Sequence, residues 1–199
     1  MGRSLLMGLC FAMAAWPQAL ESARDLQDRG ALDHAVAELS ANAAKHPDDA
    51  AAQYKLALAE SYSAEVATEL HDKSQAKAAA ESGIKAAERA VSLEPGSAEY
   101  HRILGTLCGQ FIPAAGFLAG MKYGRCAMDE VNKAVQLDPN SAPGYISRGV
   151  GNYYLPATFG GGVDLAVKDF QKAIALSPQS AEGYLWLGIA ERKLNHGAE

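Results

Sequence analysis

Few residues of this sequence have types and spacings that could support chemistry. The first candidate is the glycine-rich stretch at 159–162. Phe159 and three glycines precede a helix that the pattern predicts to begin near Val163. A glycine-rich loop that leads into a helix N-terminus can bind phosphate, because backbone N–H groups face the anion. Here no Lys-Ser or Lys-Thr pair follows, no strand precedes, and Asp164 puts negative charge on the first turn. We therefore expect a tight, irregular turn that bulky residues cannot adopt, and not a phosphate site.

Two of the three cysteines flank an apolar segment. Cys108 and Cys126 lie on either side of residues 109–124, and Cys10 lies near the start of the chain. In an oxidising compartment Cys108 and Cys126 could form a disulfide, since both are expected on helices that pack together. Cys126 precedes the packing residue Ala127, however, so its side chain could point away. We expect two separate thiols, buried as small hydrophobic groups, with the disulfide as the alternative.

The remaining candidate groups have no catalytic or metal-binding spacing. No paired CxxC or HxxxH motif, nucleophile elbow or paired-carboxylate signature is present. Net charge is −5 and no basic run occurs, which argues against nucleic-acid binding. We therefore predict a protein that is not an enzyme and has no catalytic residues, metal site, cofactor or nucleic-acid partner. The scattered histidines are His34, His46, His71, His101 and His196.

Four prolines mark the ends of predicted helix pairs, because proline cannot donate a backbone hydrogen bond and disfavours helical geometry before it. They are Pro47, Pro95, Pro139 and Pro178. The residues expected to cap the following helices are Asp48, Ser97, Ser141 and Ser180. A small residue lies ten positions after each proline (Ala57, Gly105, Gly149, Gly188) and another lies twelve before (Ala35, Gly83, Ala127, Ala166). Both spacings are constant in all four repeats. The extra residues by which the repeats differ in length therefore lie between the two helices of each pair, and these insertions should all lie at one edge of the stacked helices.

The C-terminal part repeats itself with a recognisable residue pattern. SAPGYISRG at 141–149 returns as SAEGYLWLG at 180–188, with DLAVKDFQKAIALSP between them. The characteristic positions are Tyr145, Gly149, Ala166, Phe170, Ala173 and Pro178. This pattern resembles the tetratricopeptide repeat (TPR) family. The resemblance implies an all-α fold, a right-handed TPR solenoid of four antiparallel helix pairs (about 17–46, 48–94, 97–138 and 141–177) and a capping helix, 180–195. The chain also resembles exported bacterial TPR proteins with enlarged turns within each pair and, more distantly, the helical periplasmic subunit of tripartite (TRAP) solute transporters.

The N-terminus has the pattern of a secretory signal. Arg3 provides a positive start, SLLMGLCFAMAA follows as a short apolar run, and Ala12 and Ala14 are the small residues of a cleavage site. We predict a signal peptide over 1–14, a TPR domain over 15–199 and a periplasmic or other extracytoplasmic location in a bacterium. The alternative is that the run simply forms an N-terminal apolar helix.

The TPR resemblance implies binding through a concave groove lined by the first helix of each pair. The groove residues carried over are Tyr54, Tyr62, Arg102, Gln110, Tyr153, Tyr154, Arg192 and Lys193. Such a groove would be rich in tyrosine and positively charged, which suits a protein segment or peptide of unknown identity. Several tyrosines could instead pack between repeats. The alternative function is a small-ligand binding protein that serves solute uptake. Neither the oligomeric state nor the biological process is predicted.

The insertions differ in character. The polar insertion of the second pair is expected to lengthen its helices, whereas that of the third pair, 109–124, is expected to be broken by Pro113, Gly116, Gly120 and Gly124. The apolar insertion of the third pair and that of the fourth pair, 155–159, should pack together at the solenoid edge, since large apolar side chains favour burial by roughly 1.5–3 kcal/mol each. An exposed remainder would be a candidate contact for a partner or a membrane surface. The edge residues are Phe111, Ile112, Phe117, Leu155 and Phe159.

Overall fold

The computed structural model describes the backbone of residues 10–115 and 117–196, and the side chains of residues 18–113 and 120–195. These residues form nine α-helices, one short 3-10 helix and no strand, which confirms the predicted all-α fold. The α-helices are α1 (Cys10–Asp25), α2 (Arg29–Lys45), α3 (Ala50–Glu69), α4 (Lys73–Leu93), α5 (Ala98–Ala115), α6 (Phe117–Leu137), α7 (Ala142–Tyr154), α8 (Val163–Leu176) and α9 (Ala181–His196). Residues 1–9 of the predicted signal peptide lie outside the described residues.

The helices stack in pairs as a solenoid. α1 packs on α2, α3 on α4, α5 on α6 and α7 on α8, while α9 packs on α8 without a following helix in the described chain. The odd-numbered helices also pack side by side from α1 to α9, whereas the described even-numbered helices do not pack on one another. A layer whose helices touch is shorter than one whose helices diverge. The odd-numbered helices therefore form the concave side, as the TPR resemblance implied.

Helix starts follow the capping rules with two local differences. The side chain of Asp49, and not that of the expected Asp48, caps α3 by accepting hydrogen bonds from the N–H groups of Ala51 and Ala52. Gly30, which the sequence suggests as the turn between the first two helices, lies inside α2 instead, because Asp28 caps this helix and it begins at Arg29. Side-chain oxygens of the expected caps at the later pairs do accept hydrogen bonds: Ser97 from Tyr100, Ser141 from Gly144 and Ser180 from Gly183.

The small residues at constant spacing lie where two helices cross closely. A Cβ atom on Gly83 would lie 2.6 Å from Leu107, and one on Gly105 would lie 2.7 Å from Val131. At Gly149 a Cβ atom would overlap the ring of Phe170. Gly188 has no such neighbour, because no described helix follows α9. The spacing therefore reports helix packing and not chemistry.

Two of the three insertions lengthen helices. The second pair extends to Glu69 and resumes at Lys73, as expected. The expectation that the third insertion is broken was wrong at Pro113, Gly120 and Gly124, because α5 continues through Pro113 and α6 continues through both glycines. Gly116, between Ala115 at the end of α5 and Phe117 at the start of α6, lies outside the described residues. Pro113 lies in the last turn of α5, so the helix ends soon after the backbone hydrogen bond that proline cannot donate. A Cβ on Gly120 would lie 3.8 Å from Ile112, an ordinary contact distance, which shows that the two extended helices face each other there.

Cys108 and Cys126 form a disulfide between α5 and α6, so the expectation of separate thiols was wrong. Their Cα atoms are 6.0 Å apart, within the range that a disulfide spans. Cys108 is fully buried, and Cys126 packs against the same hydrophobic core. The long antiparallel contact of α5 with α6 brings the two side chains together. The position of Cys126 next to Ala127 in the sequence did not reveal this.

Candidate functional site

The predicted groove residues do lie on the odd-numbered helices. Tyr54 and Tyr62 are on α3, Arg102 and Gln110 on α5, Tyr153 and Tyr154 on α7, and Arg192 and Lys193 on α9. They fall into two groups that differ in exposure and hydrogen bonding. Those of α3 and α5 are paired with other residues of the fold, whereas on α7 and α9 Tyr154, Arg192 and Lys193 are exposed and Tyr153 is half-buried.

Arg102 is the centre of the first group. Its guanidinium donates to both carboxylate oxygens of Glu99, with distances of 2.7 and 2.6 Å, and its side chain is 17% exposed. The hydroxyl of Tyr54 donates to the same carboxylate at 2.9 Å, and the Tyr54 ring stacks on Tyr100. Burial lowers the pKa of Arg102, but contact with Glu99 outweighs burial and holds that pKa above its ordinary value. Arg102 is therefore neutralised by its neighbour, and does not give the groove the positive charge that the sequence suggested.

Tyr62 and Gln110 are also occupied within the fold. The guanidinium of Arg24 lies 4.7 Å from the centre of the Tyr62 ring. The side-chain amide of Gln110 donates to the backbone carbonyl of Ser61 at 3.2 Å, and its oxygen accepts from the Ser61 hydroxyl at 3.1 Å. These residues therefore hold α1, α3 and α5 together, in line with the alternative that some tyrosines pack between repeats.

Glu65 on α3 is a half-buried carboxyl group near the concave side. Burial raises the pKa of Glu65 to about 7, with smaller upward contributions from Glu182, Glu69 and Asp25, while Arg24 opposes the shift.

The second group is an aromatic surface with a lysine. The ring of Tyr153 meets those of Tyr154 and Trp186 edge to face, with centroids 5.0 and 5.9 Å apart. The ammonium of Lys193 lies 4.0 Å from the centre of the Tyr153 ring and donates to the Tyr153 carbonyl at 3.1 Å. Tyr154 is 69% exposed, and Arg192 on α9 is exposed as well. Trp186 was not among the predicted site residues, although it lies seven residues before Lys193, about two helical turns away on the same face.

The second group borders an open cavity of about 370 Å³. Its walls come from the end of α7, the connection to α8 and the last turns of α9. The lining residues are Tyr153, Tyr154, Leu155, Pro156, Ala157, Gly162, Val163 and Lys193. Groove residues and one edge residue, Leu155, thus share a single site.

The proposed packing of the two apolar insertions on each other fails at Phe159, which is 76% exposed. Phe111 is buried instead within its own hairpin, where its ring lies 4.4 Å from that of Tyr123. Ile112 and Leu155 are half-buried, and the side chain of Phe117 lies outside the described residues. The two insertions do not meet because the aromatic residues Phe111 and Tyr123 pack on each other inside the α5–α6 hairpin. The 3-10 helix Ala157–Phe159 leaves Phe159 exposed to solvent.

The glycine run forms the expected tight turn. Gly160 and Gly162 have φ values of +88° and +125°, which favour glycine, and a Cβ on Gly161 would overlap the carbonyl of Leu155. The N–H groups of the three glycines donate to the carbonyls of Ala157, Pro156 and Asn152. These donors are consumed by the turn itself, so they cannot cradle a phosphate.

Within the described residues no group of three or more metal-ligating side chains is close enough to hold an ion. Among the described helices, none combines the length and the apolar character that crossing a membrane requires.

The fold is that of known TPR proteins. A TPR protein of Thermus thermophilus, TTC0263, superposes with a TM-score of 0.63 at 19% identity, over 89% of this chain and 82% of that one. The HusA haemophore of Porphyromonas gingivalis gives a TM-score of 0.69 at 18% identity, over 95% and 96% of the two chains. A MamA structure gives 0.53 at 18% identity, over 88% and 84%. At such identities the likeness concerns the fold alone, and it confirms the TPR resemblance.

No curated protein matches the sequence. A family match covers residues 19–155, which extend from α1 to the end of α7 and include the paired half of the groove. On that match, the chain belongs to the family described as regulator of microtubule dynamics protein 1-3.

Proposed function

We propose that this chain is an exported helical scaffold that binds a segment of another protein on its concave side and catalyses no reaction. The observation that carries the proposal is the surface formed by the half-buried Tyr153 and the exposed Tyr154 and Lys193 on α7 and α9. Tyrosine offers a large contact area with a polar tip, and aromatic residues are enriched where proteins bind one another. The other half of the groove is already paired internally, so we place the main contact at the α7–α9 end.

The family description supports a role in which this chain acts on another protein. Its relatives are described as regulators of microtubule dynamics, which is a matter of protein assembly. We carry over only the general idea of regulation through binding. The site itself supports a protein segment because it combines aromatic rings, a cation and an open shape.

Export is supported by two independent features. The pattern of residues 1–14 is that of a secretory signal, and the Cys108–Cys126 disulfide suits an oxidising compartment. Fractionation of the native host, followed by determination of the mature N-terminus, tests this part of the proposal. An uncleaved chain in the cytoplasm with reduced cysteines would contradict it.

The alternative, a small-ligand binding protein, finds less support. It requires insertions that roof an enclosed pocket, whereas the third insertion continues α5 and α6 as helices. HusA is described as a haemophore, but its likeness to this chain concerns the fold alone. Native mass spectrometry of protein purified from its host distinguishes the two functions, because a retained metabolite would favour the alternative.

A direct test of the proposed function uses selection from a display library of random peptides on the full chain. We expect the wild type to select peptides, and a Tyr153→Ala/Arg192→Ala variant to bind them at least tenfold more weakly. A Lys77→Ala variant is the control, since Lys77 is exposed on the outer helix α4. Circular dichroism must show an unchanged fold. Equal binding by the groove variant and the wild type would refute the assignment of the groove.

A further inference from the structure

The cavity at the end of the groove has a mainly apolar wall. Leu155 and Val163 are half-buried, and Pro156 and Ala157 are exposed along its side. Tyr154 and the neighbouring Phe159 are 69% and 76% exposed. The volume of about 370 Å³ suits one large side chain with its adjoining backbone. Such a wall favours an apolar occupant, because covering it removes apolar surface from water.

The cavity is preformed. On one side, three backbone hydrogen bonds hold the glycine turn. Gly161 packs directly against Leu155, so that no side chain fits between them. On the other side, the Tyr153 ring is held between Lys193 and Trp186. A ligand would therefore meet a site that requires little ordering, which lowers the cost of binding.

Lys193 gives the cavity a charge without a carboxylate partner. Its ammonium donates to the carbonyl of Tyr153 and lies on the Tyr153 ring, and it makes no ion pair with the described residues. An ammonium has three donors, so two remain for a ligand. Asp164, which follows Val163 in the chain, is not among the lining residues. A carboxylate is the ligand group that complements this charge most directly.

We propose that this cavity binds a large apolar or aromatic side chain of a partner peptide, together with an aspartate or glutamate close to it in the same peptide. The inference rests on the proposed function, since it takes the partner to be a protein segment, and it specifies which segment. The cavity contains three of the predicted groove residues, Tyr153, Tyr154 and Lys193, and one predicted edge residue, Leu155.

The test uses the same library of random peptides and the full chain. We expect the selected peptides to carry a Trp, Phe or Leu within about four residues of an Asp or Glu, since neighbouring side chains of an extended peptide span such a site. For one selected peptide, Lys193→Gln should weaken binding by about tenfold, the size of a charge-assisted hydrogen bond. Tyr154→Ala should weaken it at least as much. The matched controls are Lys77→Gln and Tyr184→Ala, both at exposed positions outside the cavity lining, and they should change binding less than about twofold.

A double-mutant cycle identifies the carboxylate contact. Replacing the acidic residue of the peptide with its amide should weaken binding to the wild type by about tenfold, and should have no further effect on Lys193→Gln. Additive effects would overturn the pairing. A library without any binder would overturn the proposed function and this inference together. Binders that tolerate both Tyr154→Ala and Lys193→Gln would overturn the inference alone, as would a dimer in solution that covers Tyr154.

Discussion

Reduction of the Cys108–Cys126 disulfide is the perturbation whose size the structure defines best. The two residues are 18 positions apart, and the bond closes the α5–α6 hairpin. A cross-link over a loop of this length restricts the unfolded chain by about 3 kcal/mol. For a chain of 150–250 residues, that loss corresponds to a decrease of about 6–12 °C in the melting temperature. Reduction leaves both sulfur atoms in place, so this comparison avoids the cavity that a substitution would create.

Urea denaturation of oxidised and reduced wild type measures this difference directly. Alkylation of unfolded protein, followed by mass spectrometry, establishes the state of each cysteine before the measurement. A Cys108→Ala/Cys126→Ala variant serves as the control, because its stability should not respond to reductant. If the oxidised and reduced forms unfold at the same urea concentration with equal slopes, the reasoning is refuted, and the bond does not restrict the unfolded state as assumed.

Three further predictions concern packing, pH and a buried ion pair. Gly149→Ala should lower the free energy of unfolding by about 1–3 kcal/mol, because its Cβ would overlap Phe170. Gly188→Ala, at the same repeat position but in open space, should raise the free energy of unfolding by about 0.5–1 kcal/mol. Urea titrations of both variants measure this difference, and equal effects would contradict it. The raised pKa of Glu65 means that the folded state keeps a proton that the unfolded state has released. The free energy of unfolding should therefore fall as pH rises from the ordinary glutamate pKa to about 7, and Glu65→Gln should remove this part of the pH dependence. Parallel profiles of unfolding free energy against pH for variant and wild type would contradict this. Asp169→Ala should lower the free energy of unfolding by about 3–5 kcal/mol, because it leaves the buried Asn152 and the half-buried Arg148 without their partner; a loss below about 1 kcal/mol in urea titration would count against it.

The fold could be predicted well because its signals are local. Each proline ends a helix by a backbone effect, and each small residue marks a crossing that larger side chains would prevent, as Gly105 and Gly149 show. The course of the third insertion could not be predicted in the same way. Pro113 and Gly120 have weak helix propensity, but the long contact between α5 and α6 outweighs it. Tertiary packing, which the repeat spacing does not encode, also brought Cys108 to Cys126.

The site was predictable only at the level of helix faces. The repeat pattern placed Arg102 and Lys193 on the groove side, and both are there. It could not show that Arg102 is neutralised by Glu99 three residues earlier on the same helix, whereas Lys193, among the described residues, contacts the Tyr153 ring and carbonyl and makes no ion pair. Nor could it show that Phe159 projects outward, because the direction of the 3-10 helix depends on the glycine turn after it.

The family match ends within the second group of groove residues. It reaches residue 155, so it includes the internally paired residues of α3 and α5 and also Tyr153 and Tyr154 on α7. Val163, Trp186 and Lys193, which complete the aromatic surface and the cavity, lie beyond that limit. The matched part of the chain thus contributes most of the scaffold and part of the cavity wall, while α9 supplies the lysine, which makes no ion pair with the described residues. We therefore expect the choice of partner to depend on the last two helices, and exchange of 156–196 for the matching segment of another TPR protein should change which peptides are selected while leaving the helical fold intact.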